Sequence, residues 1–194
     1  MIRKIVYFFL PIYKAKRAEK LIKEKQQCLR ELGKCEEKLK QKLEKEINKL
    51  PQDLQELKRL LKKEFERKKI IEDKSSNLFI IVSLLGITFT FFYKIIETVT
   101  IIIFLYLLGF FIFWELIYLI LSVSSLLYVL VEINIIYEPS SKSSLEELRK
   151  TVLLNRYQNI IRTNYLNTVY SNIKLFFCLL IVAFATFFIS LVIN

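Results

Sequence analysis

The charges of this chain are concentrated at one end of it. Residues 1–76 hold 23 of the 30 lysines and arginines and 13 of the 19 acidic residues, a local excess of ten positive charges. Residues 77–194 hold the remaining 7 and 6, so that part is nearly neutral and strongly apolar. A single globular domain of this length would spread its apolar side chains along the whole chain, one face of each element contributing to a common core. Segregation predicts instead a basic cytosolic arm joined to a membrane part. The expected fold is an all-α membrane protein: a basic helical cytosolic arm, a transmembrane helical hairpin, and a long cytosolic helix continuing into a final transmembrane helix.

Composition excludes most chemistry. The chain has no histidine, which removes Ser-His-Asp and Cys-His catalysis and His-ligated metals, and its three glycines leave no phosphate-cradling loop. Cys28 and Cys35 lie seven residues apart on a charged stretch read as one helix, and Cys178 lies in an apolar run. No CxxC spacing points to zinc or redox work. Beside a lysine-rich cytosolic segment the thiols are expected to stay reduced and unpaired. No catalytic residue, metal or cofactor is expected, and the chain does not read as an enzyme.

Residues 1–14 form an apolar segment with a basic start. It is too short to span a bilayer, which takes about 20 residues, and it lacks a small-residue cleavage site. It reads either as an interfacial anchor or as an element tucked against the rest of the chain. Residues 15–76 read as basic, coiled-coil-like helices. Apolar residues recur at Leu29, Leu32, Cys35, Leu39, Leu43, Ile47, Leu50, Leu54, Leu57 and Leu61, close to one per helical turn. Such a stripe pairs with another helix. Pro51 interrupts it and suits the first turn of a new helix, so a break is expected near Lys49–Pro51. The two helices would fold back as a hairpin or form a kinked stalk that self-associates. The surface charge fits solvated faces with pairs such as Glu19–Lys23 and Glu64–Lys68, or anionic lipid. No aromatic residues interleave with the lysines, so direct nucleic-acid binding is not expected.

Residues 77–121 read as a two-span hairpin. Asn77–Ile96 carries only Lys94 as a charge, Lys94–Thr98 is a tight polar turn, and Val99–Leu121 is interrupted only by Glu115. The apolar character then continues to Tyr137. A straight helix over Val99–Tyr137 would measure about 58 Å, roughly twice the ~30 Å hydrocarbon thickness. A further span would carry Lys142, Arg149, Lys150, Arg156 and Arg162 outside, against the positive-inside rule. Residues 122–173 are therefore read as a cytosolic helical extension, with a loop at Pro139–Lys142 and a capping box starting at Ser143 or Ser144. Residues 174–194 form the third transmembrane helix. This topology puts the N-terminus in the cytosol and the C-terminus outside, with almost nothing exposed on the outer side.

Two sets of polar residues are candidate sites. Asn155, Asn159 and Arg162 share one helix face at i, i+4 and i+7 and are poor helix formers, so they are expected to bond something. They are either glue between helices of an assembly or a partner or ligand face for a nucleotide-like signal. Glu115 lies inside the second span, towards the cytoplasm. An intramembrane acid is costly unless paired, hydrated or protonated. It reads either as lining a cation-attracting pore in a ring of subunits or as hydrogen-bonded glue to Tyr106, Tyr118 or a Ser/Thr of another span.

The layout of a charged helical arm, a tight two-span hairpin and a polar cytosolic helix leading into a final span resembles the small multi-pass membrane effectors of bacterial anti-phage systems, such as those accompanying nucleotide-second-messenger or CRISPR loci. The resemblance implies an oligomer in the bacterial inner membrane that forms a pore or perturbs the membrane when a cytosolic signal arrives. The partners it implies are the lipid bilayer, further copies of the chain, and a cytosolic protein or nucleotide signal. Two other readings fit the same residues. One is a non-conducting membrane scaffold that recruits a cytosolic partner through its arm. The other is a holin-like lysis protein, for which the long arm is excessive.

Overall fold

The computed structural model describes residues 10–31, 35–96, 102–133, 136–139 and 143–193, apart from the side chains of 91–93, 95, 96, 102 and 132. Residues 1–9 of the expected interfacial segment, Leu32 of the stripe, residues 97 and 98 of the polar turn, residues 140–142 of the loop and the Glu132 side chain lie outside that set. The described residues form five helices and no strand: α1 Pro11–Arg30, α2 Glu37–Asn48, α3 Leu54–Ile96, α4 Ile102–Leu127 and α5 Leu145–Ile193. A single π-helical turn, Tyr128–Glu132, extends α4.

The arm is built from three helical pieces where the stripe alone suggested two. α1 starts with Pro11, whose fixed φ suits a first turn, and closes with a bond from Glu31 N to the Gln27 carbonyl at 3.0 Å. The next described helix begins at Glu37. Cys28 and Cys35 are joined by a disulfide across this break, so the expectation of two free thiols on one helix face is corrected. The helix ends between them, and the returning chain brings the second sulfur back to the first. Pro51 is not in the first turn of a helix. Asp53 caps α3 by accepting from Glu56 N at 3.0 Å, which starts the helix three residues later.

α3 then runs 43 residues without interruption, about 65 Å, from the charged arm straight into the apolar run that begins at Asn77. α5 is longer still, 49 residues or about 73 Å, and joins the polar stretch to the apolar C-terminal stretch in the same way. Its start is a capping box at Ser144: Ser144 N donates to Glu147 Oε2 at 3.1 Å, and Glu147 N donates to Ser144 Oγ at 3.2 Å. Among the described residues two helices are long and apolar enough to cross a membrane, Ile103–Val131 of α4 with its π turn and the apolar half of α5. The stretch after Leu121 continues α4 as far as Ile133 and does not turn back as another span.

α5 is the axis of the molecule, and every other helix packs on it. α3 runs parallel to it, with Arg149 Nε donating to the Pro51 carbonyl at 3.0 Å near one end and Asn159 meeting Glu64 further along. α4 runs antiparallel, so Ile133 lies beside Gln158 and Leu108 packs with Ala183. α1 is antiparallel to α5 as well, with Gln26 Nε2 bonded to Gln158 Oε1 at 2.9 Å.

Two apolar clusters hold this arrangement. In the charged half, Leu29, Leu43, Ile47, Leu50, Leu57 and Leu61 close over Leu148, Val152, Leu153 and Tyr157 of α5. The stripe of the arm is therefore covered by the chain's own last helix. In the middle, Leu78, Val82 and Leu85 of α3 and Tyr118, Leu126 and Val129 of α4 surround Ile161, Tyr165, Val169 and Phe176 of α5. Burying a leucine or isoleucine side chain contributes about 1.5–3 kcal/mol, so the covered stripe alone is a large part of the arm's stability.

Candidate functional site

The polar face of α5 is turned inward. Asn155, Gln158, Asn159 and Arg162 are all buried, Arg162 to 2% exposure. Their spacing puts them on the side of α5 that receives both the end of α4 and the charged half of α3. Arg162 Nε donates to the Ile133 carbonyl at 3.0 Å, Arg162 Nη2 donates to the same oxygen, and Gln158 Nε2 reaches it at 3.4 Å. That carbonyl ends α4, where the helix leaves its last acceptors unsatisfied and partially negative, so a guanidinium is well matched to it. Asn155 pairs with the main chain of Tyr137 in both directions: Tyr137 N donates to Asn155 Oδ1 at 3.1 Å, and Asn155 Nδ2 donates to the Tyr137 carbonyl at 2.8 Å. One amide thus fixes the chain as it leaves α4.

Asn159 ties α5 to α3. Its Nδ2 donates to the Glu64 carbonyl at 2.8 Å and to Glu64 Oε2 at 3.0 Å, and its Oδ1 accepts from Arg162 Nη1 at 2.7 Å. Arg156 Nε completes the node on Glu64 Oε1 at 3.4 Å. Asn155, Asn159 and Arg162 are thus bonded within the chain: Asn155 to the main chain of Tyr137 and Thr151, Asn159 to Glu64 and Arg162, and Arg162 to the Ile133 carbonyl. The pairing expected between Glu64 and Lys68 is also replaced. Glu64 points inward to α5, and Lys68 pairs with Glu72 at 3.2 Å.

A second node holds α1. Glu19 is buried and bonded to Lys23 Nζ at 2.6 Å, to Tyr165 Oη at 2.6 Å and to the Tyr128 hydroxyl. Burial alone would raise the pKa of this carboxyl. The hydrogen bonds from Lys23, Tyr128 and Tyr165, with the charge of Lys23, outweigh burial together and hold it below the ordinary value. A third node joins α1, α2 and α5 through Glu46, which meets Lys25 Nζ at 3.0 Å and the Tyr157 hydroxyl. There too burial is outweighed, by Tyr157 and Lys25, and the pKa is lowered. Lys25 also lies 5.1 Å above the Tyr157 ring.

These acids were hidden in a sequence read as a solvated lysine–glutamate surface. The signal was their position. Glu19 falls between Ala15 and Ile22 on the face of α1 that carries Ile12 and Gln26, and Glu64 falls one turn after Leu61 on the stripe of α3. An acid placed on an apolar stripe is costly to bury unless it finds a partner there.

Glu115 lies on the inner side of α4 and is fully buried, with no hydrogen-bond partner for either carboxylate oxygen among the described residues. Tyr106, one of the partners expected for it, is 76% exposed on the opposite side, and Tyr118 is buried but makes no bond to it. Asn172 of α5 is likewise fully buried with both amide atoms unpartnered. Within this chain the Glu115 side chain is turned into the helix packing and away from the exposed face of α4.

Around this interior the apolar halves of α3, α4 and α5 expose large side chains outward, among them Ile80, Leu84, Phe110, Phe113, Ile181 and Phe188. A soluble monomer rarely exposes apolar surface so continuously. Among the described residues no three metal-ligating side chains converge. No protein-family model, curated protein or solved structure matches this chain.

Proposed function

We propose that the chain is an oligomeric effector of the bacterial inner membrane, closed at rest, that forms a pore or perturbs the bilayer when a cytosolic signal loosens its basic bundle. The observation that carries this reading is the continuity of α3 and α5, each one unbroken helix through a polar half and an apolar half. A stiff helix passes displacement of one half to the other, so a change in the polar ties at one end reaches the packing at the other. Two crossings are supported by the apolar part of α4 and by Leu175–Ile193, and a third, Asn77–Ile96, by the apolar sequence of α3 and its exposed Ile80 and Leu84. The excess of lysine and arginine before Asn77 supports an N-terminus in the cytosol.

Glu115 supports a closed resting state. Its buried carboxylate, unpartnered among the described residues, is costly where it lies, and an opened bundle would give it water. The setting such an effector fits is anti-phage defence. A scaffold that recruits a partner through the apolar stripe has less support, because α5 already covers the stripe.

The test is membrane potential, read with a voltage-sensitive dye in bacteria expressing the wild type, Asn159→Leu, and Asn159→Leu combined with Glu115→Gln. Asn159→Leu removes the tie between α3 and α5 and is expected to depolarise cells at an expression level where the wild type does not. The double variant is expected to depolarise less. Unchanged potential in every membrane-inserted variant would overturn the reading.

A further inference from the structure

An open groove of about 1230 Å³ lies between α1 and α4. Its two walls differ in chemistry. On the α4 side lie Leu119, Ile120, Val123, Leu127 and Val131, with Ile120 58% and Val131 69% exposed. On the α1 side lie Lys16, Lys20 and Lys23, successive turns of one helix face, all exposed.

We propose that this groove seats an anionic phospholipid of the surrounding bilayer, an acyl chain along α4 and the phosphate on Lys16 and Lys20. The proposal rests on the membrane-spanning reading above. Leu119, Ile120 and Val123 put the apolar half of the groove at the cytosolic end of the second crossing. The apolar wall is continuous, through Leu116 and Phe113, with the exposed outer face of the same helix, so a lipid enters from the bilayer without crossing a polar rim. That continuity is why the occupant is a lipid and not a soluble helix.

The charges agree. Lys23 is engaged by Glu19 at 2.6 Å, and Glu19 is further satisfied by Tyr128 and Tyr165. The acid inside the groove is therefore already neutralised and does not repel an anion as a free carboxylate would. Lys16 and Lys20 meet no acid among the described residues, and Glu24 lies at the end of the groove away from Lys16. Lysines hold such a site by snorkelling, stems on apolar surface and amines at the headgroup.

The experiment uses the full chain, reconstituted in vesicles of phosphatidylcholine with a minority of phosphatidylglycerol, re-extracted in mild detergent and weighed by native mass spectrometry. Alkaline carbonate resistance reads membrane insertion separately. The wild type is expected to retain phosphatidylglycerol in preference to phosphatidylcholine. Lys16→Gln/Lys20→Gln is expected to weaken retention roughly thirtyfold, what two lysines near an anionic surface contribute, and Val123→Trp to block it by filling the apolar half. Lys16 and Lys20 are exposed and Val123 is half-buried at the groove wall, and both variants are expected to keep the carbonate resistance of the wild type. A carbonate-resistant wild type without bound phosphatidylglycerol, or with equal retention in all three proteins, overturns the proposal and leaves the spanning reading intact. A lipid-free wild type that is dimeric overturns it in favour of a second copy in the groove. Retention by a chain that carbonate extracts supports the lipid site and overturns the spanning reading.

Discussion

Asn159 holds Glu64 at two points at once, donating to its main-chain carbonyl at 2.8 Å and to its carboxylate at 3.0 Å, across 95 residues of sequence. Because Asn159 Oδ1 is taken by Arg162 at 2.7 Å and Arg162 also holds the Ile133 carbonyl, this one amide links α3, α5 and the end of α4.

Cutting that link has a direct cost. Asn159→Leu leaves Glu64 and Arg162 each short of a buried partner, and an unsatisfied buried polar group costs about 1–3 kcal/mol. The midpoint of thermal unfolding, followed by circular dichroism in detergent, is expected to fall accordingly. Asn159→Asp is expected to fall further, since it sets a second carboxylate against the first. A midpoint equal to wild type for both would remove the node from the stability of the fold.

Acid is expected to loosen α1. The folded pKa of Glu19 lies below the ordinary 4.5, so its charged form is favoured by folding. The contribution is fully present above about pH 4.5 and is lost as pH falls through the lowered folded value. Unfolding midpoints measured on descending pH should drop through that range in the wild type and less steeply in Glu19→Gln. Parallel pH profiles would rule Glu19 out as the titrating group.

Glu115 should behave oppositely to a stabilising residue. A buried carboxylate with no partner among the described residues carries an uncompensated desolvation cost, so a hydrophobe of similar size is expected to be neutral or stabilising. Glu115→Leu is expected to unfold at the same or a higher temperature while depolarisation activity falls. A lower midpoint would mean that the carboxylate holds a partner.

The stripe predicts a contrast between two leucines. Leu43 is fully buried against α5, and Leu43→Ala should cost about 2–5 kcal/mol. Leu54 belongs to the same periodic series but is 45% exposed in the first turn of α3, and Leu54→Ala should stay within about 0.5 kcal/mol. Denaturant titration of both variants decides it.

The disulfide between Cys28 and Cys35 closes a short loop across the break between α1 and α2. In the chain-entropy account a loop of this length contributes about 2 kcal/mol. Cys35→Ser, or reductant added to the wild type, should lower the unfolding midpoint by a matching amount, and reductant should do nothing further to the variant.

The division of the chain and the character of its pieces can be read from the residues alone. Charge confined to residues 1–76, apolar runs of bilayer length, the Ser144–Glu147 cap and the helical period of the stripe are all local, and local chemistry sets where helices start and which face is apolar. Even the row at Asn155, Asn159 and Arg162 was legible as residues that must bond something. Only the tertiary structure decided what each face meets. A period of one apolar residue per turn states that a face is covered and not by what, so the stripe could have joined a second copy as readily as α5. Once α3 lies parallel to α5 in the register that pairs Pro51 with Arg149 and Glu64 with Asn159, the leucines, the buried acids and the polar row find their partners together. That register depends on side chains nearly a hundred residues apart, and no local pattern carries it.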